Sequence, residues 1–143
     1  ILNHRSLESS LAFLLANRLS SPAMISTHIQ SLILEAFAND PNIGRCLRAD
    51  IMAVRDRDPA CTCLPDVFLY FKRFHTLQTY RVAHAMWKAE KTVLAHYLQS
   101  QMSQIFQIDI HPSSSRIQLM NIFVALFLCV NTDSTLRDLG WIG

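Results

Sequence analysis

The chain has little glycine: Gly44, Gly140 and Gly143 are all it contains in 143 residues. Glycine-rich phosphate loops depend on close approach of bare backbone, so such a loop is excluded. It also lacks clustered positive charge. The net charge is +2, and no block of Lys or Arg stands out. A nucleic-acid surface needs such clusters to neutralise phosphates, so nucleic acid is not an expected partner. Cysteine is sparse and badly spaced for a framework. Cys46, Cys61, Cys63 and Cys129 form neither a disulfide pattern nor paired metal-ligand motifs. The lone Cys61-x-Cys63 is read as two ordinary thiols in a reducing compartment, and no metal is expected. No run of about 20 apolar residues occurs, so no membrane span is expected. The greasiest stretch, residues 117–130, is shorter and is interrupted by Gln118 and Asn121. It reads as a buried helix or strand, or as sequence never selected to fold. The chain opens at Ile1 without Met and with no signal peptide, which reads as a fragment with a targeting segment upstream left open.

What is present is helical patterning. Half of the residues are hydrophobic, enough for a core in one domain of this length. Leu7, Leu11, Leu14 and Leu15 recur at helical spacing, which predicts a helix over residues 6–19. Ser20, Ser21 and Pro22 predict its end and the start of the next helix, with Ser21 as cap and Pro22 in the first turn. Ile25, Ile29, Leu32, Ala36 and Phe37 continue that second stripe. Asn39, Asp40 and Pro41 repeat the grammar, and Ile43, Leu47, Ile51 and Val54 carry a third helix to about Arg55. Asp58-Pro59 marks a loop, because proline disfavours helix for the residue before it. Pro65 and Asp66 open a helical region through Phe68, Phe74, Tyr80 and Trp87, in which periodicity shows no break. Val93, Leu94, Tyr97, Leu98, Met102, Ile105 and Phe106 form the last helix. Ile108, Asp109 and Ile110 alternate as a strand would. The fold class is therefore all-α, ending in a short strand-like segment. The stripes on the first helices (Leu7, Leu11, Leu14; Ile25, Ile29, Leu32) exceed what one small core needs, so part of that surface is expected to mediate self-association.

Three groups are candidates for chemistry. Arg55, Asp56, Arg57 and Asp58 alternate in charge before Pro59, which also describes a solvated helix end. Arg81 and His84 lie one turn apart on one helical face. They suit an interface or a hydrogen-bonded core histidine better than a reaction centre. Asp109 and His111 are two apart and would share a strand face, where a carboxylate could orient a histidine as catalytic dyads do.

Four stretches occur in a telling order. They are Leu15-Ala16-Asn17-Arg18-Leu19-Ser20-Ser21-Pro22; Arg57-Asp58-Pro59-Ala60; Tyr70-Phe71-Lys72-Arg73-Phe74-His75 with Leu77-Gln78-Thr79-Tyr80-Arg81-Val82-Ala83-His84; and Phe106-Gln107-Ile108-Asp109-Ile110-His111-Pro112. Over roughly residues 1–112 the chain closely resembles the N-terminal region of the serine acetyltransferases, which make O-acetylserine for cysteine synthesis. The resemblance implies a helical domain at residues 1–107 that joins subunits into a hexamer. Residues 108–112 would then start a left-handed β-helix of hexapeptide repeats, and residues 113–143 would be a tail foreign to the family. It implies L-serine and acetyl-CoA as substrates, acetyl-CoA lying between neighbouring β-helices, and other serine acetyltransferase subunits as partners in the cytoplasm. Asp109 matches the aspartate that orients the catalytic histidine, and Asp58 an aspartate that contacts the amino-acid substrate. The catalytic histidine has no match, since residues 113–143 contain no His. His111 belongs to the His-Pro motif and is not that base. Arg73 stands where the family has Gly, and no hexapeptide repeat follows Pro112. The expectation is a truncated chain, inactive alone, or else a non-catalytic oligomerisation module. A helical binding module unrelated to the family is the remaining reading.

Overall fold

The structure is a computed structural model that describes residues 4–57 and 63–114. Residues 1–113 form one compact unit. The described helices belong to it: α1 Leu7–Leu19, α2 Ser26–Asn39, α3 Pro41–Arg57, α4 Leu64–Tyr70, α5 Lys72–Lys88 and α6 Thr92–Phe106. The all-α class therefore holds. Helix α1 packs chiefly on α2 and α5 chiefly on α6, while α1–α6 and α2–α5 contacts join the two hairpins. Helix α3 lies against α2, α4 and α5.

Local chemistry explains the helix ends. The Ser6 hydroxyl accepts the Ser9 N–H at 3.1 Å and caps α1. Asp40 accepts the Asn42 N–H at 3.0 Å, and Pro41 opens α3, where its missing N–H costs nothing. Pro22 does not open α2. Ser21 and Met24 instead exchange backbone bonds of 3.1 and 3.0 Å across a turn at Pro22 and Ala23. The Ser21 hydroxyl donates to the Tyr97 hydroxyl at 2.9 Å, which donates to the Leu19 carbonyl at 3.0 Å. A proline φ suits a turn as well as a first helical turn, and the distant Tyr97 decides between them. Helix α2 thus begins at Ser26, and Ile25 lies outside it, 55% exposed.

The region after Pro65 breaks at one residue. Phe71, at φ −78° and ψ 101°, separates α4 from α5. The last carbonyls of α4 have no partner within their own helix. Side chains supply them. His75 Nε2–H donates to the Phe68 carbonyl at 2.8 Å, and Arg18 Nη2 donates to the Leu69 carbonyl at 2.7 Å. Arg18 Nη1 also donates to His75 Nδ1 at 3.3 Å, which sets the imidazole tautomer. Arg73 adopts ordinary helical geometry in the first turn of α5; the described non-glycine residues with positive φ are Glu90 and Gln107.

The core is built from Leu11, Leu15, Leu19, Ile29, Ile33, Leu47, Val67, Leu98 and Met102, all buried. Each such side chain contributes about 1.5–3 kcal/mol on burial. Ile43, Leu47, Ile51 and Val54 all face inward, as their spacing predicts. Helix α6 buries Ala95, Leu98, Met102 and Phe106, leaving Val93 80% exposed on the other side. The α1 and α2 stripes are largely consumed within the chain. Leu11, Leu14 and Ile29 are buried, Leu7 and Leu32 are half-buried, and only Ile25 of the six is exposed. No helix among the described residues is long and apolar enough to cross a membrane. Residues 117–130 lie outside the described residues.

No strand forms among the described residues. Residues 108–110 keep the predicted alternation, with Ile110 buried and Asp109 exposed. A strand needs a paired ladder, and here the segment is tied to the helices by side chains instead.

Burial of the imidazole pulls the His75 pKa down to about 4, with Arg18 adding to the effect and the Phe68 carbonyl opposing it. His75 is therefore neutral in the fold, while the unfolded chain protonates near 6.5. The unfolded state binds more protons between these values, so stability rises with pH through that window. Acidification from about pH 6.5 to 4 is expected to remove on the order of 3 kcal/mol, read from urea unfolding midpoints. His75→Leu should flatten that slope. At pH 7 it should also destabilise the domain by about 1–3 kcal/mol, because the Phe68 carbonyl is left unsatisfied.

Candidate functional site

Helix α6 ends with Gln107 in the left-handed region (φ 61°, ψ 30°), a position more often held by Gly or Asn. The chain then runs back over α5 and α6 as a strap. Ile110 enters the core at 2% exposure. His84 Nδ1–H donates to the Pro112 carbonyl at 2.7 Å, its ring stacked on Tyr80 with centroids 5.6 Å apart. Between these tethers Asp109 is exposed, and its Oδ1 accepts from the Gln99 amide at 2.8 Å. Asp109 rims a polar cleft of about 290 Å³ lined by His96, Gln99, Ser100, Ser103 and Gln104 on α6. Amides, hydroxyls and one carboxylate suit it to hydrogen bonding.

His111 does not join Asp109. Its Nδ1 accepts from the Ser113 hydroxyl at 2.7 Å. Its ring meets Trp87 and His96 edge-on, at centroid distances of 5.2 and 5.6 Å. Asp109 and His111 are both exposed on the same side of the segment, with Ile110 and Pro112 buried, but each side chain takes a different partner and no strand forms. His111 is thus an exposed ring held by edge contacts and by Ser113.

Arg81 and His84 leave α5 for different partners. Arg81 forms a two-pronged ion pair with Asp50 of α3, and Gln78 Nε2 donates to the same carboxylate at 2.7 Å. Arg55 and Asp56 form an exposed pair at 2.7 Å, the solvated helix end that alternating charge describes. Asp58 and Cys61 lie outside the described residues, and Cys63 is exposed. Among the described residues no group of three His, Cys, Asp or Glu side chains could hold a metal ion.

Sequence reasoning did not single out Gln99, Asp50 or Gln78. Nothing in local spacing marks them, since each acts across 10 to 31 residues of chain. Arg18, His75 and Gln78 fall within the ordered motifs, but local spacing does not show that Arg18 and His75 meet.

Comparison with known proteins bears on this arrangement. The family model for the N-terminal region of serine acetyltransferase matches residues 1–79. Serine acetyltransferase of Escherichia coli K12 is 45% identical over 114 residues, covering 80% of this chain and 42% of that protein. The structure of the Neisseria gonorrhoeae enzyme in complex with serine superposes with a TM-score of 0.78 at 39% identity, covering 79% of this chain and 47% of that one. The Brucella abortus enzyme, solved with coenzyme A, gives 0.77 at 42% identity, with 79% and 45% covered. The chain thus spans less than half the length of these relatives. With its family model matched over more than half of its residues and its helical fold shared with these structures, the chain belongs to the serine acetyltransferase family.

Proposed function

We propose that this chain supplies the assembling, helical part of a serine O-acetyltransferase, which transfers the acetyl group of acetyl-CoA to the hydroxyl of L-serine. The 45% identity through residues that include the Asp109 strap carries this reading. Asp109 would orient the general-base histidine, and Asp58 would contact the amino acid. Asp109 suits that role in one respect that geometry supports. It is exposed on a tethered strap, with one carboxylate oxygen engaged by Gln99.

The 143 residues contain no histidine beyond His111 and no hexapeptide repeats. The base and the CoA groove must therefore come from a further segment or another subunit. A serine hydroxyl is a poor nucleophile at neutral pH and needs a base within about 2.6–3.2 Å. A lone carboxylate is a weaker base than an imidazole and has little drive to take that proton. We place the assembly in the cytoplasm, on the reducing compartment that the cysteines suggest.

A non-catalytic module that pairs with serine acetyltransferase subunits is the second reading. It is favoured by the large apolar side chains left exposed, Phe13, Ile25 and Val93.

Residues 1–143 alone should release no CoA from acetyl-CoA and L-serine above the uncatalysed rate. A serine-dependent rate lost in His111→Ala would show that His111 had been recruited as base. Residues 1–112 fused to the C-terminal part of the Escherichia coli relative should be active. Asp109→Asn should lower kcat of that fusion by about 10²–10⁴-fold. An inactive but folded fusion would favour the second reading. Sedimentation of residues 1–143 should show self-association at micromolar concentration, and a stable monomer at high micromolar concentration would count against assembly by this part.

A further inference from the structure

We infer that Gln99 is a positioning residue for the Asp109 carboxylate: its amide holds Oδ1 and leaves Oδ2 to accept the N–H of an imidazole. This deepens the proposed function and rests on its reading of Asp109. An exposed aspartate on a strap is free to rotate, because the terminal torsion of a carboxylate is broad. Here the 2.8 Å bond from Gln99 Nε2 restricts that freedom. The donor stands on a rigid element, since α6 buries Ala95, Leu98 and Met102 beside it. The strap is held independently by Ile110 in the core and by the His84 bond to the Pro112 carbonyl at 2.7 Å. Backbone and carboxylate are therefore held from separate sides.

The choice of an amide has a chemical consequence. Arg or Lys at this position would donate more strongly but would also pair the carboxylate charge. That charge is what stabilises an imidazolium as it forms. A neutral donor orients the group and leaves its charge available. No ion pair involves Asp109 among the described residues.

Two measurements test this. In the 143-residue chain, the Gln99 side-chain amide proton should move upfield in the NMR spectrum of Asp109→Ala, with backbone dispersion retained. An unmoved resonance would mean that the bond is absent in solution and would overturn the assignment. In the fusion described above, Gln99→Met keeps length and helix propensity and removes the donor. It should lower kcat by about 10–100-fold through misplacement of the dyad, leaving KM for both substrates within about twofold. Gln99→Met combined with Asp109→Asn should be no slower than Asp109→Asn alone, because Gln99 acts through Asp109. If Asp109→Asn is impaired and Gln99→Met is not, the positioning role is wrong and the reading of Asp109 stands. If Gln99→Met raises KM with kcat unchanged, Gln99 binds substrate instead and the role is wrong. If Asp109→Asn itself is unimpaired, the reading of Asp109 fails and the inference with it.

Discussion

The contact on which the helical domain turns is the buried meeting of His75 with Arg18 and the end of α4. One residue, Phe71, separates two helices. A break that tight strands the last α4 carbonyls in the interior, where an unpaired polar group costs about 1–3 kcal/mol. The His75 imidazole, fully buried, donates to one of them, and Arg18 donates to the next and to the ring itself. The guanidinium reaches across from α1, so one side chain both satisfies the chain break and links the first helix to the fourth and fifth. The imidazole must be neutral to accept from Arg18, and burial keeps it so.

The same pattern recurs along α5, whose buried face carries Thr76, Gln78 and Thr79 as well as apolar side chains. Gln78 and Arg81 converge on Asp50 and so tie α3 to α5. One turn further, His84 reaches the strap after α6. A single helix thus organises the α4 end, the α3 register and the strap that carries Asp109. The contacts that join elements run from side chains to backbone carbonyls at chain breaks or to a half-buried carboxylate.

Much of this was legible in advance. Asp40 and Pro41 mark a helix end by short-range chemistry, and Ile43, Leu47, Ile51 and Val54 mark a buried face by spacing alone. Pro22 misled because its φ fits either a turn or a helix start, and a hydroxyl on α6 settled the matter. Val93 and Ile25 misled because an apolar residue at a helix terminus can fit a stripe and still face water. The alternation at residues 108–110 survives as burial of Ile110 and exposure of Asp109. It predicts a strand that does not form, because periodicity cannot report whether a ladder partner exists.

The amino-acid sequence by itself determined the all-α class, most helix boundaries and the family, through ordered motifs over residues 1–112. It also placed Asp109 beyond the last helix. These follow from interactions within a few residues of chain, or from residue identity alone. Only the tertiary structure decided that Asp109 is held by Gln99 while His111 packs against Trp87 and His96. It alone brought Arg18 to His75 across 57 residues and Asp50 to Arg81 across 31. Such pairings depend on how helices cross, and helix crossing is set by the fit of whole buried faces, which no local pattern encodes.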